Sequence, residues 1–230
     1  WPIAAVSGVV GVFTIAGWLG TWIFSGRAWP AYVALALVPC WLMAEIGGTP
    51  WGAWGRESAA TFSALLPPFV ALAMTSRVAR SPDVDTALRP LQKASLLSVA
   101  TVAVFAVVVL TSERFPDAPP IVVAVGGLVG AFAWAAAAIV LRNARTLAVR
   151  DRAALAVALS AFGLAALDRT LGRLRPDDDI GSWAFSASRL VVLVGWSLLL
   201  IVAIRSTIHA KRVFLLRQQR LRAARDAIAD

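Results

Sequence analysis

The stretch "RLVVLVGWSLLLIVAIRSTIHAKRVFLLRQQRLRAARDAIAD", Arg189 to Asp230, joins two kinds of helical sequence without a break. Residues 188–205 are almost wholly apolar and close to the roughly 20 residues that make one membrane span. Residues 205–230 hold no glycine or proline and are rich in Ala, Leu, Arg and Gln, which all favour helix. One helix is therefore expected to leave the bilayer and continue as a rod. In that rod Phe214, Leu221 and Ile228 recur at a spacing of seven. Ala224 fills one intermediate position and Arg217 the other, so the seam is short and imperfect. Periodicity alone leaves two readings open: a parallel coiled coil, or an amphipathic helix lying on anionic lipid.

Upstream, the composition extends the same logic. Hydrophobic residues make up 59% of the chain and charged ones only 15%, with a mean hydropathy of +0.75. A soluble domain is nearer one quarter charged. The apolar residues fall into seven blocks, at 3–25, 30–47, 58–76, 94–112, 119–141, 153–168 and 188–205. An all-α polytopic membrane protein with seven transmembrane helices is expected, the last continuing into a signalling helix. Residues 1–205 would form the transmembrane domain and 206–230 the juxtamembrane linker. The first block lacks a basic leader and a small-residue cleavage site, so it reads as a span rather than a signal peptide.

Basic residues orient the spans. Of the 22 Lys and Arg, 16 fall in alternate loops and the C-terminal tail, among them Arg77, Arg80, Arg142 and Arg150. By the positive-inside rule this places the N-terminus outside and the C-terminus in the cytoplasm of a cell with the chain in its plasma membrane. Pro39 in the second span and Pro67-Pro68 in the third are expected to kink their helices. Gly126 and Gly130, a small-xxx-small pair in the fifth, fit tight packing within the chain better than a dimer face.

Several function classes are excluded. The net charge of +9 sits beside apolar runs, where it serves topology and lipid headgroups, so no nucleic-acid partner is expected. Cys40 is the single cysteine and His209 the single histidine, too few for a disulfide or a metal cage. Both lysines, Lys93 and Lys211, lie in charged stretches outside the spans, which rules out a retinal Schiff base. There is no phosphate-binding loop, HExxH, GxSxG or CxxC, and no histidine in a span to activate a serine. No catalytic residue is expected.

Ionisable groups at membrane depth are costly and mark candidate sites. Glu45 lies near the end of the second span, with Trp54, Arg56 and Glu57 in the loop that follows. Asp168 and Arg169 end the sixth span and Arg189 opens the seventh. By topology all share the outer leaflet, where they would rim a polar cavity for an amphipathic ligand or a stimulus. The plainer reading, that they are interfacial and pair with one another to close the bundle mouth, is the stronger, because every one lies near a segment end.

The last residues add a resemblance. "RLRAARDAIAD", Arg220 to Asp230, resembles the lead-in to the dimerisation helix of bacterial sensor histidine kinases of the NarL/DesK type, of the kind found in actinobacteria. The resemblance covers about 11 residues of low complexity. It implies a membrane sensor module relaying a signal through helix seven to a kinase of a two-component system. It implies a homodimer, with Phe214, Leu221, Ala224 and Ile228 on the signalling face, embedded in the lipid bilayer. ATP and Mg2+ as cofactors and a response regulator as partner would belong to the kinase domain. The phosphoacceptor and ATP-binding motifs of the family are not in this sequence, so no catalytic residue carries over. Two other classes fit the spans: a small transporter or channel subunit with a lipid-binding basic tail, and a sensor feeding a different output enzyme. A transport path would need polar groups at the span centres, which are nearly free of them.

Overall fold

The computed structural model describes residues 2–46, 53–81, 83–89, 120–145, 147–174 and 180–229. Regular structure among these residues is helical throughout: α1 (Pro2–Ser25), α2 (Trp29–Ile46), α3 (Ala53–Arg80), α4 (Val84–Leu88), α5 (Pro120–Arg142), α6 (Val149–Leu174) and α7 (Ile180–Ala229). Local chemistry sets several of these bounds. Gly26, at φ +64°, ends α1 in the left-handed conformation, and its amide donates to the Trp22 carbonyl at 3.0 Å. Pro30 sits in the first turn of α2, where its missing N–H costs nothing. The Asp83 carboxylate accepts from the Thr86 amide at 3.0 Å and so caps α4.

Two helices are longer than the apolar blocks that announced them. The third runs as one 28-residue helix through both Pro67 and Pro68, and the sixth as a 26-residue helix instead of stopping at Asp168. In both cases charged residues that looked like loop markers lie inside the helix: Arg56 and Glu57 in α3, and Arg150, Asp151, Arg152 and Arg169 in α6.

The expected count of seven spans is not what the described residues show. Three helices among them are long and apolar enough to cross a membrane, at Ala5–Ser25, Ala124–Arg142 and Arg189–Arg225. In α2 the apolar stretch is shorter, Trp29–Val38. The charges just named interrupt α3 and α6, and the block at 94–112 lies outside the described residues.

The helices close on themselves. Following contacts around the molecule, α1 packs on α2, α2 on α3, α3 on α5, α5 on α6, α6 on α7, and α7 back on α1. The register follows from paired residues. On α1 and α7, Thr14 meets Trp196, Gly17 meets Ala203 and Thr21 meets Thr207, so these two helices run parallel. On α6 and α7, Phe162 meets Gly195 while Asp151 meets Arg205, so they run antiparallel.

Alanine dominates the described interior, beside Trp18, Trp196 and a few Leu and Val. Ala34, Ala137, Ala144, Ala158 and Ala203 are buried almost completely, whereas Phe132 is 75% exposed, Ile23 67% and Ile139 63%. Water-soluble folds do the reverse and seldom expose apolar surface on this scale. In lipid, large apolar side chains gain nothing by turning inward, and small ones let backbones approach. The chain is membrane-associated on this evidence. Gly126 and Gly130 are both buried within the chain, as intramolecular packing requires.

Candidate functional site: an aromatic-walled cavity against the long helix

α1 and α7 pack through small and polar contacts. A Cβ on Gly17 would stand 3.0 Å from the Ala203 Cβ, and one on Gly20 would stand 3.3 Å from the Thr207 Cγ2. Across this seam the Thr207 hydroxyl donates to the Gly17 carbonyl at 2.8 Å or to Ala203 of its own helix at 2.9 Å. Thr21 Oγ1 lies 2.9 Å from Thr207 Oγ1, and Thr14 Oγ1 lies 2.8 Å from the Val10 carbonyl and 3.4 Å from that of Trp196. At the end of the seam Phe24 meets Phe214, with ring centroids 6.3 Å apart, and the Lys211 ammonium lies 6.0 Å from the Phe24 centroid.

Inside the ring of helices lies a cavity of about 630 Å³, in the range of small-molecule sites. Five of its described lining residues are aromatic. Trp134 packs on Phe162 with centroids 5.3 Å apart, and Phe162 on Trp196 at 5.6 Å. Trp18 meets Trp29 edge to face at 5.4 Å. The ionisable lining residues Arg27, Asp151 and His209 come from the α1–α2 turn, the start of α6 and the far part of α7, all at one end of the bundle. There the Asp151 carboxylate pairs with Arg205 at 3.3 Å, both partly exposed.

Among the described side-chain polar atoms closed off from solvent, all but one have a hydrogen-bond partner. Thr75 donates to the carbonyl of Ala71 or Leu72, and Thr170 to that of Ala166. Trp18 is only 5% exposed, and its indole N–H has no acceptor among the described residues. Its surroundings, Ala34, Val202, Ala203 and Leu155, offer hydrocarbon. Leaving such a donor unmet costs about 1–3 kcal/mol.

The residues singled out in the sequence stand largely elsewhere. None of Asp168, Arg189, Glu45, Trp54, Arg56, Glu57 or Arg169 is among the described lining of the cavity. The side chains of the last five, like those of Pro39 and Ile228, lie outside the described residues. Pairings along α6 and α7 put Asp168 and Arg189 at one level, at the end opposite Asp151 and Arg205. Pro67 does border the cavity, and Pro68 is fully buried. On the rod, Leu221 is 71% exposed and Ala224 is exposed, but Phe214 already packs on Phe24.

Sequence reasoning missed the threonine seam. Its signal was present: Ser7, Thr14 and Thr21 recur at seven in α1, as do Trp196, Ala203 and Ala210 in α7, and all six are buried. Comparison with family models, with curated proteins and with solved structures returned no match, so the functional reading rests on this geometry.

Proposed function

We propose that this chain is the membrane sensor module of a homodimeric two-component histidine kinase, in which α7 carries the signal to a cytoplasmic output domain. One observation supports the relay above all. The helix that walls the cavity with Trp196, Leu199 and Val202 is also the helix that continues to Ala229. At 1.5 Å per residue its 50 residues span about 75 Å, more than twice a hydrocarbon core of about 30 Å. From Phe214 to Arg225 every side chain is exposed, so this part of the helix has little packing within the chain.

The heptad phase supports the same reading. Trp196, Ala203 and Ala210 lie in one series of sevens, Thr207, Phe214 and Leu221 in the other. The face of α7 that meets α1 thus runs on, without a change of phase, into the face expected to dimerise. A shift or rotation of α7 inside the bundle would reach the rod seam directly. Seven spans, an external N-terminus and a cytoplasmic C-terminus in the plasma membrane complete the proposal, and ATP and Mg2+ would act in the output domain.

Two measurements test it. In membranes, with Cys40→Ser as background, single cysteines at Leu221 and Ala224 are expected to cross-link between copies, and those at Gln219 and Arg222 not to. Equal cross-linking at all four removes the coiled coil. The intact gene product, given labelled ATP and Mg2+, is expected to acquire an acid-labile phosphoryl group. Absence of that label, with cross-linking intact, keeps the relay and removes the kinase.

A further inference from the structure

The part of the cavity nearest the rod has open apolar surface. Val33 and Leu37 of α2, Ala71 and Met74 of α3 and Leu155 of α6 line it, and each keeps part of its surface uncovered. At 1.5 Å per residue these five lie about 6–14 Å in from the ends of their helices on that side. That end is also basic. Arg27, Ser206 and His209 line it, with Arg27 and His209 exposed. Arg205 stands beside them, paired with Asp151, the one acidic residue in the described lining. Helices α2 and α6 both begin here, with Trp29 and Ala148 at their starts in the lining, so their positive dipole ends add to the same field. From this we infer that the cavity takes a single-chain acidic amphiphile of the fatty-acid class, its carboxylate at Arg27 and His209 and its tail along Val33, Met74 and Leu155.

Each half of such a molecule answers one part of the site. At the depth of the five apolar side chains the polar neighbour is Thr75, whose hydroxyl donates to its own helix, so a hydrocarbon tail leaves nothing there unmet. A charged group at that depth would find no counter-charge in the described lining. At the basic end the preference reverses. A guanidinium presents paired N–H donors that match a carboxylate, and the imidazole adds another donor. A cationic head would be repelled, and a neutral alcohol would gain no charge-assisted bond. This site stands apart from the output reading, since it would exist whether the chain feeds a kinase, another enzyme or nothing.

The probe is palmitic acid carrying a photoreactive diazirine in mid-chain, added to the protein in phosphatidylcholine nanodiscs at mildly alkaline pH, where the acid is ionised. After irradiation, mass spectrometry maps the labelled residues. Label is expected on lining residues such as Met74 and Leu155, one probe per chain, and not on Phe132 or Ile139, which face outward. Unlabelled palmitate should displace the probe at about one tenth of the mole fraction in lipid that hexadecanol needs. Hexadecanol has the same chain and no charge, and a tenfold difference is within what a charge-assisted hydrogen bond supplies at a partly screened site. Arg27→Gln combined with His209→Gln changes two exposed side chains, so the fold should persist while the preference for the acid disappears. Label concentrated on Phe132 and Ile139 would put the probe in the bilayer and overturn the assignment. Equal displacement by palmitate and hexadecanol, or a preference unchanged in the double variant, would overturn it as well.

Discussion

The α1–α7 seam can be tested by moving one methyl group across it. The Ala203 Cβ stands 3.0 Å from where a Gly17 Cβ would be, against the 3.5–4.0 Å at which two carbons rest comfortably. Gly17→Ala therefore overpacks the pair by about 0.5–1 Å, and neither methyl can rotate away, because each is fixed to a helical backbone. Overpacking costs roughly 1–3 kcal/mol, offset by about 0.5–1 kcal/mol from replacing a helical glycine. A net loss of about 1–2 kcal/mol is expected. Ala203→Gly should lose a similar amount, since Ala203 is fully buried and its replacement is the poorer helix former. In the double variant the propensity terms cancel and the methyl sits on α1 instead of α7. The next Ala203 atoms, its carbonyl carbon and Cα, lie 3.7 and 3.9 Å away, which is ordinary contact. The double variant should thus return to within about 0.5 kcal/mol of the natural chain, a coupling of about 2–3 kcal/mol. The assay is reversible unfolding in mixed micelles, titrated with a denaturing detergent and followed by helical circular dichroism. Simple additivity of the two losses would show that α1 and α7 do not meet at this pair, and the parallel register drawn from it would fall.

Two further outcomes follow from the same packing. Gly127 on α5 lies so close to Thr170 that an added Cβ would strike the Thr170 Oγ1, so Gly127→Ala should destabilise the α5–α6 pair by roughly 1–3 kcal/mol. Thr170→Ala in the same chain should recover part of that loss in the same unfolding assay, and no recovery would place the clash elsewhere. Asp168→Ala and Arg189→Ala, at one level of α6 and α7, should each shift the basal output of the intact gene product with little change in membrane abundance. Natural signalling in both would remove that end of the pair as a site of stimulus.

Apolar block length, rather than any motif, made the helices legible. The unbroken rod after Arg205 was readable because Ala, Arg, Leu and Gln extend a helix. The ends of α3 and α6 were not, because Arg56, Glu57, Asp151 and Arg169 look the same in sequence whether they cap a span or ride on it. The cavity was less legible still. Trp18, Trp134 and Trp196 were readable as interior residues, but nothing in a linear pattern tells a tryptophan that fills a core from one that walls a space. Only the closure of six helices into a ring separates the two. The outer charges drew notice because ionisable groups are conspicuous in an apolar chain. Among the described buried side-chain atoms the one unmet group is a neutral N–H, which no charge scan detects.

A relay needs an interface that holds α7 firmly and yet releases it for a few kcal/mol, and the threonines of the seam have that property. Each has two acceptors. Thr207 can donate across to Gly17 at 2.8 Å or back to Ala203 at 2.9 Å. Thr14 has Val10 at 2.8 Å on its own helix and Trp196 at 3.4 Å on the other. Thr21 has Gly17 at 3.1 Å on its own helix and Thr207 at 2.9 Å across the seam. When α7 slides or turns, each hydroxyl falls back on its own helix, so no buried donor is left unmet. Asparagine at these positions would hold the seam harder, because its amide could not retreat so completely into the local helix. Membrane hydrogen bonds between helices average about 0.6 kcal/mol, so surrendering three costs about 2 kcal/mol. A ligand that binds one packing about thirtyfold more tightly than the other supplies that much. The glycine contacts set the limit of the movement: backbones this close can slide along or turn against each other, but parting them would forfeit the packing on which the seam depends.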